Sequence, residues 1–550
     1  MHRCLRLVAA AIVALFCLAP VLGHPGWPYN HDGLRFLLRI AEIGGQWRAG
    51  HPIPIWSNVA QHDLGSPGPA LYHKLFSYVG AALVPVLRDP KAVVCATLFL
   101  FMVLGFLGMA AALRAAAARR HLPIECLCGT VAITSNYAFT DWLIRGAVAE
   151  FAAFCLLPWF FAWGFRWLRA GVPSRWIGPL MWLLWLAHSA IATFSWIFLL
   201  PCAAIAAIVQ RRRVTSAFRP MTAAVLWFAV LLAPFVAAAI PMMRWAQVSN
   251  LVAFLNPTNT HQPFIRIFRD TAWQWGGIYT RFTLQLDPVL IGVLFLLPAA
   301  LLVPGRQRAP AALCLIPALL TLLLQLRLAV PFFRVVPGFE YIQFSWRLLT
   351  FLTVSLSVGL GVLLLTLEAG LRNKFPRTWR PTMAAVLCAI LLAHLPERPR
   401  APGADQPWFG PGVLRIAATG VAPNPMSAEP PEYLPRGLSD TGDPHDHARI
   451  GIASGLCELA PTVGPAVEVG KLHFRLGCPS GREVAVRQFL APGMRMLDAE
   501  GRVVPVHRTC DDARIRIIGE SLDLTLIMPT IGRALKDWWR DGGAYRSCTP

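Results

Sequence analysis

The chain has 550 residues, 56% hydrophobic and 14% charged, with a formal net charge of +21 and a mean hydropathy of +0.52. A water-soluble domain this apolar would lack the polar residues to cover its surface. Outside the C-terminal region most basic residues sit in short loops between apolar runs, so the charge orients a membrane protein and is no nucleic-acid footprint.

A membrane span needs about 20 apolar residues, fewer where protein buries it. The first predicted span covers 5–22, behind Arg3 and Arg6. Small residues at 19–23 would also suit a signal peptide. The motif that starts at His24 needs anchoring at the membrane, which favours an uncleaved span. A long outer loop, 24–89, follows. The next spans are predicted at 93–113, 126–139 and 151–167. The stretch 176–210 is too long for one span and breaks at His188-Ser189, which predicts two short ones. Further spans follow at 221–240, 289–303, 311–326, 348–367 and 383–395. The total is about eleven helices, rich in Leu, Ala and Val rather than patterned as barrel strands. Arginine clusters follow alternate spans, so the positive-inside rule puts the N-terminus in the cytoplasm and the C-terminus outside.

Composition changes after residue 395. Residues 396–444 are rich in Pro, Gly and Asp and read as an irregular linker. Residues 445–550 carry short runs of alternating polar and apolar residues at 471–476, 483–487, 513–517 and 522–526. Period-two alternation between turn residues predicts antiparallel strands and a small β-sandwich-like extracytoplasmic domain. Its four cysteines, Cys457, Cys478, Cys510 and Cys548, are disulfide candidates with three connectivities, or stay reduced. No metal site is read from cysteine or histidine spacing.

Ionisable residues at a membrane edge are costly unless used or paired. Four groups of them are predicted on the outer face. The long loop supplies His31, Asp32 and Arg35, then Trp56, Tyr72 and His73. The second group spans Asp141, Arg145 and Glu150. The third is His188 at the helical break. The fourth is Gln343, Trp346 and Arg347, leading into a descending span. A carboxylate can take a proton from an acceptor hydroxyl, arginines can hold phosphate, and aromatic faces suit sugar rings or the interfacial belt. Together they fit sugar transfer from a lipid-linked phosphate donor, since nucleotide sugars are not pooled outside the cytoplasm. Each residue also has a structural alternative: Asp32 as a helix cap, Arg145 and Glu150 as each other's partners, His188 as a helix-break residue, the tryptophans as belt or core.

The order His31-Asp32-Gly33-Leu34-Arg35, Gly50-His51-Pro52-Ile53-Pro54-Ile55-Trp56 and Gly65-Ser66-Pro67-Gly68-Pro69-Ala70-Leu71-Tyr72 resembles a bacterial membrane family described as 6-pyruvoyl-tetrahydropterin-synthase-related and akin to YfhO-type proteins. The resemblance continues through 141–150, His188, 343–347, Glu432-Tyr433-Leu434-Pro435 and the strands near Pro492 and Glu500. Such proteins are similar to GT-C glycosyltransferases, multi-span enzymes that use polyprenyl-phosphate sugars and a carboxylate in the first outer loop. The resemblance implies Asp32 as general base with His31 beside it. Many GT-C enzymes carry two acidic residues there. The His-Asp pair departs from that pattern, assigns no definite cofactor and admits a divalent metal. The implied partners are a polyprenyl-phosphate-linked sugar, an envelope glycan or lipid acceptor, and the lipids of a bacterial inner membrane, with the C-terminal domain periplasmic. A flippase of lipid-linked sugars and a non-catalytic envelope-assembly protein are the alternatives.

Overall fold

A computed structural model describes residues 2–28, 30, 32, 35–57, 60, 65–117, 121–170, 173–210, 215–247, 286–303, 307–336, 339, 344–394, 408–409, 414, 450–452, 458–460, 471–477, 482–506, 514–519 and 522–540. In chain order the first helices are α1 (His2–Leu22), α2 (Arg35–Arg48), α3 (Gly68–Leu71), α4 (Leu75–Leu83), α5 (Pro90–Ala117), α6 (Leu122–Ile133) and α7 (Asn136–Phe139). A π-helical turn (Thr140–Arg145) leads into α8 (Val148–Ala170), α9 (Ile177–Ala187), α10 (Ser189–Gln210) and α11 (Thr215–Trp245). There follow α12 (Pro288–Leu302), α13 (Arg308–Gln325), α14 (Val330–Val335), α15 (Leu349–Lys374), α16 (Trp379–His394) and, near the C-terminus, α17 (Ile531–Arg540).

The chain is a multi-pass membrane protein: six described helices are long and apolar enough to cross a bilayer, within His2–Leu22, Pro90–Ala116, Val148–Ala170, Arg219–Trp245, Arg308–Gln325 and Ser345–Lys374. The other expected spans fall on shorter apolar helices, among them Leu122–Ile133, Pro288–Leu302 and Trp379–His394. The expected span at 126–139 begins earlier and stops at Ile133. Thr134, Ser135 and Asn136 offer the backbone local partners that compete with the helix, and Ser135 Oγ accepts from Ala138 N at 3.2 Å to start α7. The expected break at His188 is present, with that residue extended at φ −163°, ψ 111°.

The chain folds as two compact units. The first comprises Met1–Gly33, Lys91–Leu231 and Leu255–Pro411. Its centre is α8 and α15, whose apolar stretches are each 94% buried, against 33% for α1. An apolar helix buried on all sides is a core helix, and one with an exposed apolar face is suited to lipid. Arg6 on α1 pairs with Glu125 on α6, both buried, so a charge inside an apolar layer is matched by its opposite. A two-residue pairing joins Trp27–Pro28 (β1) to Trp408–Phe409 (β2).

The second unit comprises Leu34–Pro90, Leu232–Phe254 and Gly412–Pro550. The loop expected at 24–89 is helical in part. On α2, Phe36, Leu37, Ile40 and Ile43 are buried at the spacing of a helix face. Gly80 on α4 admits Ile40 so closely that a Cβ there would meet its Cδ1 at 2.6 Å. The strands are β3 (Ile450–Ile452), β4 (Glu458–Ala460), β5 (Lys471–Gly477), β6 (Arg482–Phe489), β7 (Arg495–Leu497), β8 (Val503–Val504), β9 (Arg514–Gly519) and β10 (Leu522–Ile527). They form an antiparallel five-stranded sheet, β4-β5-β10-β7-β8, and a three-stranded one, β3-β6-β9. Leu524 and Leu526 of β10, Met494, Met496 and Met528 close a core with Trp56, Met242, Trp245 and Ala534.

Candidate functional site

The first unit gathers several of the residues singled out above at the junction of α7, the π-helical turn, α8 and the start of α15. Gly146 ends the π turn in the left-handed region at φ 75°. This reversal lets Ala147 N donate to Asp141 O at 2.8 Å, so the chain re-enters α8 with Glu150 in its first turn. The π turn places Asp141 and Arg145 on one side, and Arg145 Nη1 bonds Asp141 Oδ1.

Glu150 is the hub. Its Oε2 accepts from Arg145 Nη1 and Nη2, each at 3.2 Å, and lies 3.4 Å from Arg347 Nε. Its Oε1 accepts from Tyr137 OH at 2.5 Å and from Thr350 Oγ1 at 3.4 Å. The Arg145 guanidinium also lies 4.2 Å from the Trp346 ring centroid, and Trp346 stacks on Phe344 with centroids 4.8 Å apart. Two carboxylates and two guanidiniums therefore balance in a buried network, the condition under which buried charge is tolerated. Arg347 is its most open member, with 15% side-chain exposure against 8% for Arg145 and 1% for Glu150.

Asp32 joins this group through its backbone. Its N–H donates to Arg145 O at 2.7 Å, its side chain is half-buried, and its carboxylate lies within electrostatic reach of the Arg145 guanidinium. His188, buried at the α9–α10 break, feels the charges of Arg347 and Arg145. Asp32, Asp141, Arg145, Glu150, His188, Trp346 and Arg347 thus belong to one neighbourhood. The pairing of Arg145 with Glu150, anticipated as a structural alternative, is present.

Arg35, Trp56, Tyr72 and His73 lie in the second unit. There the Arg39 guanidinium sits 3.5 Å from the Tyr72 ring centroid, and the Tyr72 and His73 ring centroids are 5.1 Å apart. Trp56 is buried edge-on to Trp245 at 5.2 Å, with its carbonyl accepting from Gln46 Nε2 at 3.2 Å. It also lines a pocket with His51, Pro52, Ile53, Met528 and Thr530. Lys74 Nζ donates to the carbonyls of Ala70 at 2.9 Å and Tyr72 at 2.8 Å. Burial, then the nearby Arg39 charge, lowers the Lys74 amine to about 7.

His31, Gln343 and the cysteines Cys457, Cys478, Cys510 and Cys548 lie outside the described residues. Asp287 is a buried structural anchor: its Oδ2 accepts from Asn136 N at 3.0 Å, and Oδ1 lies 3.5 Å from His394 Nδ1. Among the described residues no group of three or more His, Cys, Asp or Glu is arranged to hold a metal.

Sequence reasoning passed over Tyr137 and Thr350, and gave no role to Asn30, which opens the motif Asn30-His31-Asp32-Gly33. The first two look like ordinary residues of apolar segments, and their role follows from Glu150 alone. The Asn30 side-chain amide is buried against Gly146 and makes no hydrogen bond among the described residues.

No protein-family model matches the chain, the 6-pyruvoyl-tetrahydropterin-synthase-related and YfhO-type families included, and no curated protein matches it. Solved structures that it resembles include a variant of the arabinofuranosyltransferase AftD from Mycobacteria, at TM-score 0.42 and 16% identity over 71% of this chain and 27% of that one. Another is the Archaeoglobus fulgidus oligosaccharyltransferase tethered to an acceptor peptide, at TM-score 0.41 and 12% identity over 71% of this chain and 53% of that one. The apo form of that enzyme gives TM-score 0.39 and 13% identity, covering 78% and 61%. The chain thus spans less than two thirds of the length of these proteins.

Proposed function

We propose that this protein is a GT-C-type glycosyltransferase of the bacterial inner membrane, which transfers a sugar from a polyprenyl-phosphate donor to an envelope glycan or lipid on the periplasmic side. The observation that carries the reading is the hub at Glu150. It holds two arginines beside the backbone anchor of Asp32, at the ends of membrane helices, with the second arginine and Asp32 as the more open members.

The chemistry follows from those positions. The bond from the sugar's anomeric carbon to the donor phosphate breaks as a bond to the acceptor oxygen forms. Asp32 takes the acceptor proton. The polyprenyl phosphate leaves with its charge, which Arg347 meets. Arg145, already engaged by Asp141, Glu150 and Trp346, keeps the wall rigid. Sidedness supports the outer face: Asp32 follows a first span that opens with Arg3 and Arg6.

The test incubates the purified full chain in nanodiscs with a panel of polyprenyl-phosphate pentoses and hexoses and an envelope lipid extract. Release of free polyprenyl phosphate is read by mass spectrometry. The expected outcome is turnover of at least one donor, reduced by about 10²–10⁴-fold in Asp32→Asn with unchanged insertion and melting. Transfer by Asp32→Asn at the wild-type rate would remove Asp32 as base. Donor movement across liposomes without covalent product would replace the enzyme reading by that of a flippase.

A further inference from the structure

We propose that α17 is a membrane-surface anchor, whose outer face of Lys536, Trp539 and Arg540 docks on an anionic phospholipid bilayer. The opposite face of this helix is committed to its own unit. Ala534 and Asp537 are buried. Arg495 grips Asp537 with two parallel bonds, Nη1 to Oδ2 at 2.8 Å and Nη2 to Oδ1 at 2.5 Å. Gly493 N donates to the same carboxylate at 2.8 Å. Arg533 ties the first turn down through the carbonyls of Gly493 at 3.1 Å and Met528 at 2.6 Å.

The outward face has a different character. Trp539 is 80% exposed, and Lys536 and Arg540 are exposed beside it. With Asp537 neutralised by Arg495, that face is positive. An indole flanked by cations on an amphipathic helix suits the headgroup boundary, where tryptophan takes the interface and lysine and arginine meet lipid phosphates.

Its place in the unit puts it at that boundary. The Arg244 guanidinium lies 5.5 Å from the Trp538 ring, and Trp245 Nε1 donates to Leu490 O at 2.9 Å. Arg244 and Trp245 close α11, whose stretch Arg219–Trp245 is long and apolar enough to cross the bilayer. The end of such a stretch marks the headgroup level, and α17 is packed against it. The partner is therefore the same membrane, and the charge of the face selects anionic lipid.

The test places the photoreactive residue p-benzoylphenylalanine at position 539 of the full chain, in nanodiscs of equal parts phosphatidylcholine and phosphatidylglycerol. The same residue at position 500, on the exposed β7–β8 turn, is the control. After illumination, adducts are read by peptide mass spectrometry. The expected result is phospholipid adducts at 539 and few at 500, biased toward phosphatidylglycerol. That bias should fall about five-fold or more in Lys536→Glu/Arg540→Glu, given the attraction of each cation to an anionic surface. Adducts confined to protein, or lipid adducts equal at 539 and 500, would overturn the proposal. A bias unchanged by the charge reversals would overturn its electrostatic part. The same probe at position 540 gives an independent reading should the 539 variant fail to assemble.

Discussion

Two buried cations, Arg145 in the helical unit and Lys74 in the other, have different surroundings. In the helical unit, Arg145 and Arg347 meet the carboxylate of Glu150, and Asp141 completes a balanced set. In the other unit, the Lys74 ammonium is held by the carbonyls of Ala70 and Tyr72, with a second cation, Arg39, nearby. Countercharge offsets the loss of water around Arg145 and Arg347, whereas burial, then the Arg39 charge, favours the neutral amine at Lys74. The first arrangement is rigid and suited to holding a site in place. The second responds to pH.

The sharpest way to break this contrast is to remove the hub. Glu150→Gln leaves two guanidiniums without their shared countercharge in a buried setting. Breaking a buried pair this way is expected to cost about 3–5 kcal/mol, the largest stability effect predicted here. Thermal unfolding of the purified full chain in detergent measures it. A melting temperature equal to wild type would mean that the network is not where the helical unit is held. A smaller effect comes from Gly146→Ala. The residue sits at φ 75°, and a Cβ there would meet Asn30 Oδ1 at 2.5 Å. The expected loss is about 1–3 kcal/mol, read in the same melt, and Asn30→Ala in the same chain should relieve the part due to the clash.

What the sequence revealed and what it hid divide along a physical line. Apolar length and helix breaks are local, so the first span and the interruption at His188 could be read directly. The positions of Asp32, Arg145, Glu150 and Arg347 stood out because ionisable residues are rare in apolar segments. The hub itself could not be read. Thr350 is 200 residues from Glu150, and Tyr137 carries no mark separating a buried hydrogen-bond donor from an interfacial aromatic. The early stop of α6 at Ile133 was hidden for a related reason. Thr134 and Ser135 are tolerated within a span by composition, but Ser135 Oγ caps the next turn and Thr134 Oγ1 donates back to Thr130 O at 2.6 Å. Trp56 reads by type as a sugar-facing, belt or core aromatic, and it is in the core. Its burial against Trp245 depends on a packing partner almost 190 residues away.

The pH response of Lys74 tests the other half of the contrast. Its amine falls from the ordinary 10.5 to about 7 in the folded protein. Above about pH 10.5 the amine is neutral in both states and adds no pH term. As pH falls from there toward about 7, the unfolded chain takes up a proton that the folded chain does not, and stability declines. Below about 7 both states are protonated and the cost stays constant. Stability should therefore rise with pH across this window, with a slope from this one group of at most about 1.4 kcal/mol per pH unit. Lys74→Met keeps the length of the side chain and removes the titration. The difference in melting behaviour between wild type and Lys74→Met, followed from pH 7 to pH 10, isolates the lysine from every other group that titrates there. The variant should gain most on wild type near pH 7 and lose that advantage as pH rises. A difference that does not vary with pH would mean that the Lys74 amine is not lowered in the folded chain, and that the contrast with Arg145 does not hold.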